Sequence, residues 1–317
     1  MSEPISVYKI KTAITKRVII TKTMLALLAL CVANIAISFS GIFVRLSENE
    51  IGPSATVFSR FWIVAIVIGL VTPFQSKQET GELSNISESP PKRLFLVGVG
   101  VSYALSQICW AWSFSHTTVT ISTLLYNLAP LFVCLGSWLW LGQSYNRQFI
   151  AGLFVATFGC FVIGWSDLQS ATLQWQGDAA AVMGGIFYAL YILLVKQLRP
   201  TVSATTILLS VSVLGSIVCL PFVLIGQEHL FPISLQGWLF VIGLALICQG
   251  LGQGLIAYSL EHLSSGLVSL SHLSEPVLTG LLAWLIFLEH LTWYTGSAFI
   301  LIMIGLYLAV SSSSSQG

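Results

Sequence analysis

Apolar runs of about twenty residues, separated by short polar stretches, recur ten times along the chain. A helix rises about 1.5 Å per residue, so a run of about 20 apolar residues crosses a hydrocarbon core about 30 Å thick. The runs fall roughly at 23–44, 55–74, 94–114, 118–141, 148–166, 178–197, 203–225, 237–259, 264–288 and 292–311. Lipid offers no partner for an open sheet edge, so continuous segments of this length predict helices. The expected fold class is an all-α integral membrane protein with ten transmembrane helices.

Composition supports that reading. Of 317 residues, 56% are hydrophobic and 8% charged, with a net charge of +1, against about 25% charged in soluble domains. The lipid bilayer is therefore an expected partner. Nucleic acid is not, because duplex binding rests on clustered Lys and Arg meeting phosphates. All six cysteines fall inside apolar runs without metal-ligand spacing and read as packing residues. No metal and no cofactor is expected.

Placing the N-terminus in the cytoplasm puts eleven of the thirteen basic residues on that side, from Lys9, Lys11, Lys16, Arg17 and Lys22 to Lys196 and Arg199. This bias is what the positive-inside rule asks of an oriented chain. The first run, after a basic segment over 1–22, is longer than a cleaved signal sequence and reads as a retained span. The expectation is a multi-pass protein of the plasma or inner membrane with both termini cytoplasmic. The stretch 75–93 reads as a flexible cytoplasmic loop, and 312–317 as a polar tail.

The chain also repeats itself. LSQICWAWSFSH, Leu105 to His116, returns 146 residues later as LGQGLIAYSLEH, Leu251 to His262, with Leu, Gln, Ala, Ser and His in register. The same offset pairs Leu124 with Leu270, Pro130 with Pro276, Trp138 with Trp284 and Gly159 with Gly305. Two five-helix halves follow, 23–166 and 175–311. Because five is odd, the second half enters the membrane from the opposite face, and the halves are expected to be inverted repeats. Secondary transporters use that arrangement to expose one midplane site alternately to each side.

Several phrases carry a family likeness: YNLAPLFVCLGSWLWLGQ and SHLSEPVLTGLLAWLIFLE around Pro130 and Pro276, GDAAAVMGGIFYALYILLVKQL at 177–198, and PSATVFSRF at 53–61. Through these the chain resembles the ten-span EamA branch of the drug/metabolite transporter superfamily over nearly its whole length. The resemblance implies a secondary-active exporter of amino acids or similar small metabolites that works by alternating access. Protons are the candidate coupling ion. Gln143 departs from the acidic residue common after the family's fourth span, whereas Glu289 keeps it after the ninth.

Candidate site residues follow from the cost of polar groups in a bilayer. Glu275 lies mid-span in the ninth run, where an acidic group costs about 2.5–3.5 kcal/mol unless neutral or partnered. Ser265, Ser269, His272, Glu275 and Thr279 share one helical face. That face reads either as a cavity wall, with Glu275 and His272 engaging substrate or a proton, or as a seam tying helices together. Gln107 and Gln253 occupy equivalent midspan positions, with Tyr103 and Gln249 one turn earlier, and both amides suit either a polar substrate or a helix-to-helix bond. Tyr126 and Asn127 are the fourth-span candidates. Arg60, about two turns from the outer end of its span, could attract an anionic substrate group or snorkel to the interface. His116 and His262 at span ends read as interface or capping residues.

An enzyme would need a nucleophile with a base, a metal set or paired carboxylates at membrane depth. The sequence has no H-E-x-x-H and no G-x-S-x-G, and only one carboxylate deep in a span, so no catalytic residue is expected. A multidrug or cationic-compound exporter is the alternative transporter reading. A non-transporting receptor or scaffold is the alternative of a different class.

Overall fold

A computed structural model describes residues 22–48, 50–71, 90–114, 116–117, 119–163, 175–227, 229–287 and 293–312. The basic residues before Lys22, most of the 75–93 loop, Trp165, Glu289 and most of the polar tail lie outside the described residues. The fold is all helical. In chain order the helices are α1 (Lys22–Ser47), α2 (Pro53–Val71), α3 (Pro90–Phe114), α4 (Val119–Tyr126), α5 (Ala129–Leu141) and α6 (Arg147–Ile163). They continue as α7 (Trp175–Leu198), α8 (Ala204–Ile225), α9 (Leu235–Ser259), α10 (Ser265–Ser271), α11 (Glu275–Phe287) and α12 (Trp293–Val310).

Seven stretches of the described residues are long and apolar enough to cross a membrane: α1, α2, α3, Ile121–Leu141, α7, α8 and α9. Two shorter apolar helices, Arg147–Val162 and Gly296–Val310, lie within α6 and α12. Hydrophobicity continues on the outside of the bundle, where Leu28, Leu139, Phe154, Ile217 and Ile300 are exposed. A soluble protein rarely displays so much apolar surface. Hydrocarbon accepts it without cost.

Two of the apolar runs are interrupted. The fourth breaks at Asn127 and Leu128, between α4 and α5, and the ninth breaks at a 3₁₀ turn, His272–Ser274, between α10 and α11. Both second pieces begin with a proline in the first turn, Pro130 in α5 and Pro276 in α11. Proline is tolerated there because the N–H it lacks has no intrahelical partner at a helix start. The breaks coincide under the 146-residue offset, since Ala129 and Glu275 open α5 and α11.

Within the bundle α6 packs on α12, α2 on α8, α3 on both α7 and α8, and α5 on α7 and α10. The α6–α12 seam is backbone against backbone. A Cβ added at Gly152 would meet the Gly305 carbonyl oxygen at 2.6 Å, and one at Gly159 would meet the Ala298 carbonyl oxygen at 3.2 Å. As the chain advances from 152 to 159 its partner recedes from 305 to 298, so α6 and α12 run antiparallel. Lipid supplies no hydrophobic drive between helices, and small residues let van der Waals packing hold them instead. Under the offset, the Gly159–Ala298 approach maps onto the Gly305–Gly152 approach.

In α9 the residues Leu244–Gln253 wind as a π-helix. Such wide turns are rare and concentrate at functional sites. Here the widened stretch carries Gln249 and Gln253.

Candidate functional site

The helix breaks open onto a cavity of about 580 Å³. Its wall includes Arg60 from α2, Tyr103 and Gln107 from α3, Tyr126 and Asn127 at the α4–α5 break, and Tyr188 from α7. Gln253 from α9 joins them, with Ser269, His272, Glu275 and Thr279 along α10 and α11. Ser40, Arg45 and Glu48 of α1 also line the cavity, and the last two stand at the C-terminal end of that helix.

Arg60 does not snorkel. It is 4% exposed, and its guanidinium donates to the Gln107 Oε1 at 2.9 Å and to the Tyr103 hydroxyl at 3.4 Å. The Tyr103 hydroxyl in turn donates to Gln249 Oε1 at 3.3 Å. Gln107 donates to the Tyr126 hydroxyl at 3.4 Å, which also pairs with Ser106 at 3.0 Å. A buried cation is thus held by neutral oxygens. Hydrogen bonds to a charged group contribute about 1.5–3 kcal/mol each, which offsets the cost of burying it.

The carboxylate of Glu275 makes no hydrogen bond among the described residues, and the Arg60 guanidinium acts on it through charge alone. Four further polar atoms of lining residues lack a described partner: Arg60 Nε, Asn127 Nδ2, the Tyr188 hydroxyl and His272 Nε2. The wall therefore offers donors toward the Arg60–Asn127 side and an acceptor at Glu275. Aromatic rings also line the cavity, with the Tyr126–Tyr188 centroids 5.8 Å apart and Trp110–Tyr126 also 5.8 Å apart.

Eight of the sequence candidates, Glu275, His272, Gln107, Gln253, Asn127, Tyr126, Tyr103 and Arg60, line this one cavity. Gln249 does not. It is fully buried behind Tyr103, and its amide Nε2 has no described partner. Ser265 also turns away and donates to Gln143 Oε1 at 2.8 Å. Sequence reading did not single out Tyr188 or Asn34. The signal available for Asn34 was an amide within the apolar run VANIAIS of the first span.

A family model, the EamA-like transporter family, matches residues 24–165 and again 175–311. The chain belongs to the EamA-like transporter family. Among its relatives, the uncharacterized transporter YxxF of Bacillus subtilis is 28% identical over 166 residues, which span 52% of this chain and 52% of that protein. The pseudopaline exporter CntI of Pseudomonas aeruginosa is 22% identical over 60% of this chain and 65% of its own length. One solved crystal structure superposes with a TM-score of 0.74 at 17% identity, covering 90% of this chain and 96% of the other. That likeness is one of fold. The two family matches coincide with the two halves read from the repeat, and a membrane transporter is the class to which the family assigns this chain.

The EamA halves meet on one side of the cavity in a knot of hydrogen bonds. Gly142 closes α5 in the left-handed region at φ 65°, a conformation glycine adopts without steric cost. The turn delivers Gln143 and Tyr145 to the start of α10. Gln143 Oε1 accepts from Tyr145 at 2.9 Å and from Ser265 at 2.8 Å, while Tyr145 pairs with Ser137 at 2.7 Å. Gln143 does with an amide oxygen what a carboxylate could do there. Nearby, Lys196 donates to the Leu263 carbonyl at 2.8 Å, and Arg199 pairs with Glu261.

Proposed function

We propose that this chain is a secondary-active exporter of amino acids or similar small metabolites. It has ten spans arranged as two inverted five-helix repeats in the plasma or inner membrane, with both termini cytoplasmic. The α4–α5 and α10–α11 pairs each count as one interrupted span. The antiparallel α6–α12 seam, whose close approaches exchange under the 146-residue offset, supports a two-fold axis in the membrane plane.

The observation that carries the transport reading is the pair of broken helices at equivalent positions, opening onto one polar cavity lined by both halves. Half-helix N-termini near the midplane present the positive end of the helix dipole to a substrate. At α5 that end carries Ala129, with Arg60 and Asn127 nearby in the lining, and it suits an anionic group. At α11 the same position carries Glu275, which suits a cationic one. A zwitterion of amino-acid size satisfies both.

In mechanism, substrate enters between the halves and is held by Arg60, Asn127 and Glu275. The Gln143–Tyr145–Ser265 knot closes the cytoplasmic side, and Arg45 and Glu48 stand at the opposite, open end. The repeats then rock to open the knot and close the outer mouth. Glu275 is the group assigned to proton coupling. The relative named a pseudopaline exporter supports outward movement of a small polar metabolite.

The ring of Tyr103, Tyr126, Tyr188 and Trp110 favours a second reading, export of amphipathic cations, because aromatic faces attract cations. Thermal stability of the purified protein against amino acids, organic acids and cationic drugs separates the readings. A ligand at about 100 times its dissociation constant adds about 2.7 kcal/mol. Stabilisation by amino acids that Glu275→Gln abolishes supports the proposal, and stabilisation by hydrophobic cations alone supports the second reading.

A further inference from the structure

His272 sits at the α10–α11 break, is 8% exposed, lines the cavity, and its Nε2 has no described partner. Its other nitrogen, Nδ1, lies 2.9 Å from Asn34 Oδ1 of α1. Which nitrogen carries the proton follows from the bonds around that amide. The Ser271 hydroxyl gives its one proton to the Val268 carbonyl at 2.7 Å, so it can only accept from Asn34 Nδ2 at 3.0 Å. The amide nitrogen therefore faces Ser271 and the amide oxygen faces His272. An oxygen accepts, so Nδ1 must donate. A neutral imidazole has one N–H, and Nε2 is left as a bare acceptor, buried and without a described partner, on a residue that lines the cavity.

We infer that His272 is a specificity residue whose bare Nε2 accepts a hydrogen bond from a donor on the substrate, with Asn34 and Ser271 as positioning residues that fix its tautomer. This rests on the reading of the cavity as the substrate site and adds to it. Glu275 would attract any cation by charge alone. A bare imidazole nitrogen engages only a substrate that carries an N–H or O–H, so quaternary cations gain nothing from it. Tyr188, its ring 5.4 Å from the imidazole, flanks that position with a hydroxyl that has no described partner. Ser271 and His272 both bond Asn34 of α1, and His272 also lines the cavity.

The test uses the full chain labelled with ¹⁵N-histidine, with His272→Gln run alongside to assign the resonances. The expected spectrum shows a protonated Nδ1 and an unprotonated Nε2 for His272, and Asn34→Leu mixes the two tautomers. A protonated Nε2 overturns the inference. L-leucine and 4-methylpentanoate, which differ in the amine, are then added in turn. Leucine is expected to move the Nε2 resonance and 4-methylpentanoate to leave it in place. His272→Leu should weaken leucine binding about tenfold or more, by the strength of a hydrogen bond to a charged donor, and leave 4-methylpentanoate unaffected. His272→Gln, which keeps an acceptor near the same position, should recover part of the loss. Equal losses for both compounds overturn the assignment. If neither compound binds the unmodified protein, the amino-acid reading of the cavity fails, while the nitrogen spectrum still decides the tautomer.

Discussion

Tyr103 donates a hydrogen bond to Gln249, and the two residues are 146 positions apart, the offset of the internal repeat. In the inverted-repeat arrangement proposed above, a residue touches its own counterpart only close to the axis that exchanges the copies. Tyr103 also accepts from Arg60 at 3.4 Å, so the same hydroxyl ties that contact to the cavity wall. Its ring stands 4.6 Å from that of Tyr191, whose hydroxyl in turn bonds Gln253 at 3.3 Å. The centre of the bundle is therefore a polar knot wrapped in aromatic rings.

Tyr103→Phe keeps the ring and removes both bonds. Leaving a buried donor or acceptor unsatisfied costs about 1–3 kcal/mol, so its thermal midpoint should fall. In a double-mutant cycle with Gln249→Leu, contacting groups are expected to show a coupling of about 0.5 kcal/mol or more. Additive losses would mean that the bond contributes nothing.

The α6–α12 seam leaves no room for side chains. Gly305→Leu should lower stability by about 1–3 kcal/mol or more through overpacking, because its Cβ would already lie 2.6 Å from the Gly152 carbonyl oxygen. Gly69→Ala, with nothing within 4 Å of the added carbon, is the control and should leave the midpoint unchanged or slightly raised. Thermal unfolding in one detergent compares them.

Glu50, in the loop between α1 and α2, caps the start of α9. Its carboxylate accepts from the Ile233 and Ser234 backbone N–H groups at 2.9 Å each, and from the Ser234 hydroxyl. These bonds, the Ser234 hydroxyl foremost, hold its pKa below the ordinary value of 4.5. A depressed carboxylate pKa contributes stability above the unfolded value, and that contribution is lost as pH falls through the folded one. The thermal midpoint should therefore fall on acidification below about pH 4.5, and Glu50→Gln should fall less steeply. Identical acid limbs in the two proteins would contradict the cap.

Glu275 makes no hydrogen bond among the described residues, and its burial opposes the attraction of Arg60, so Glu275→Gln, which keeps the side chain's shape, should shift stability by no more than about 1 kcal/mol. Transport in proteoliposomes should fall at least about tenfold and lose its dependence on a proton gradient, in keeping with the functional role of intramembrane ionisable groups. Arg60→Gln is expected to lose both stability and transport, since its guanidinium is bonded to Gln107 and Tyr103.

Apolar run length made the helices legible in the sequence, and Pro130 and Pro276 fell at matching places in the repeat because helix restarts tolerate proline. The breaks themselves were not legible, because polar residues such as Asn127, His272 and Ser274 are compatible with an unbroken helix whose polar face is turned inward. Arg60 illustrates the limit for the site. From the sequence its stem could reach the interface or turn inward, and only Tyr103 and Gln107 arriving from α3 decide between them. Gln249 and Gln253 looked alike by spacing. Tyr103 packs over Gln249 and leaves only Gln253 on the cavity wall, a difference set by a neighbouring helix and not by spacing. Asn34 lies on an otherwise apolar stretch of α1, and its role becomes visible only when α1 meets the α10–α11 break.

The most direct test of alternating access is a short thiol-reactive cross-link between Gln143→Cys and Ser265→Cys, introduced after the native cysteines are replaced. The account predicts that the link leaves substrate binding intact and stops transport, and that cleaving it restores transport. Undiminished transport through the linked protein would contradict it.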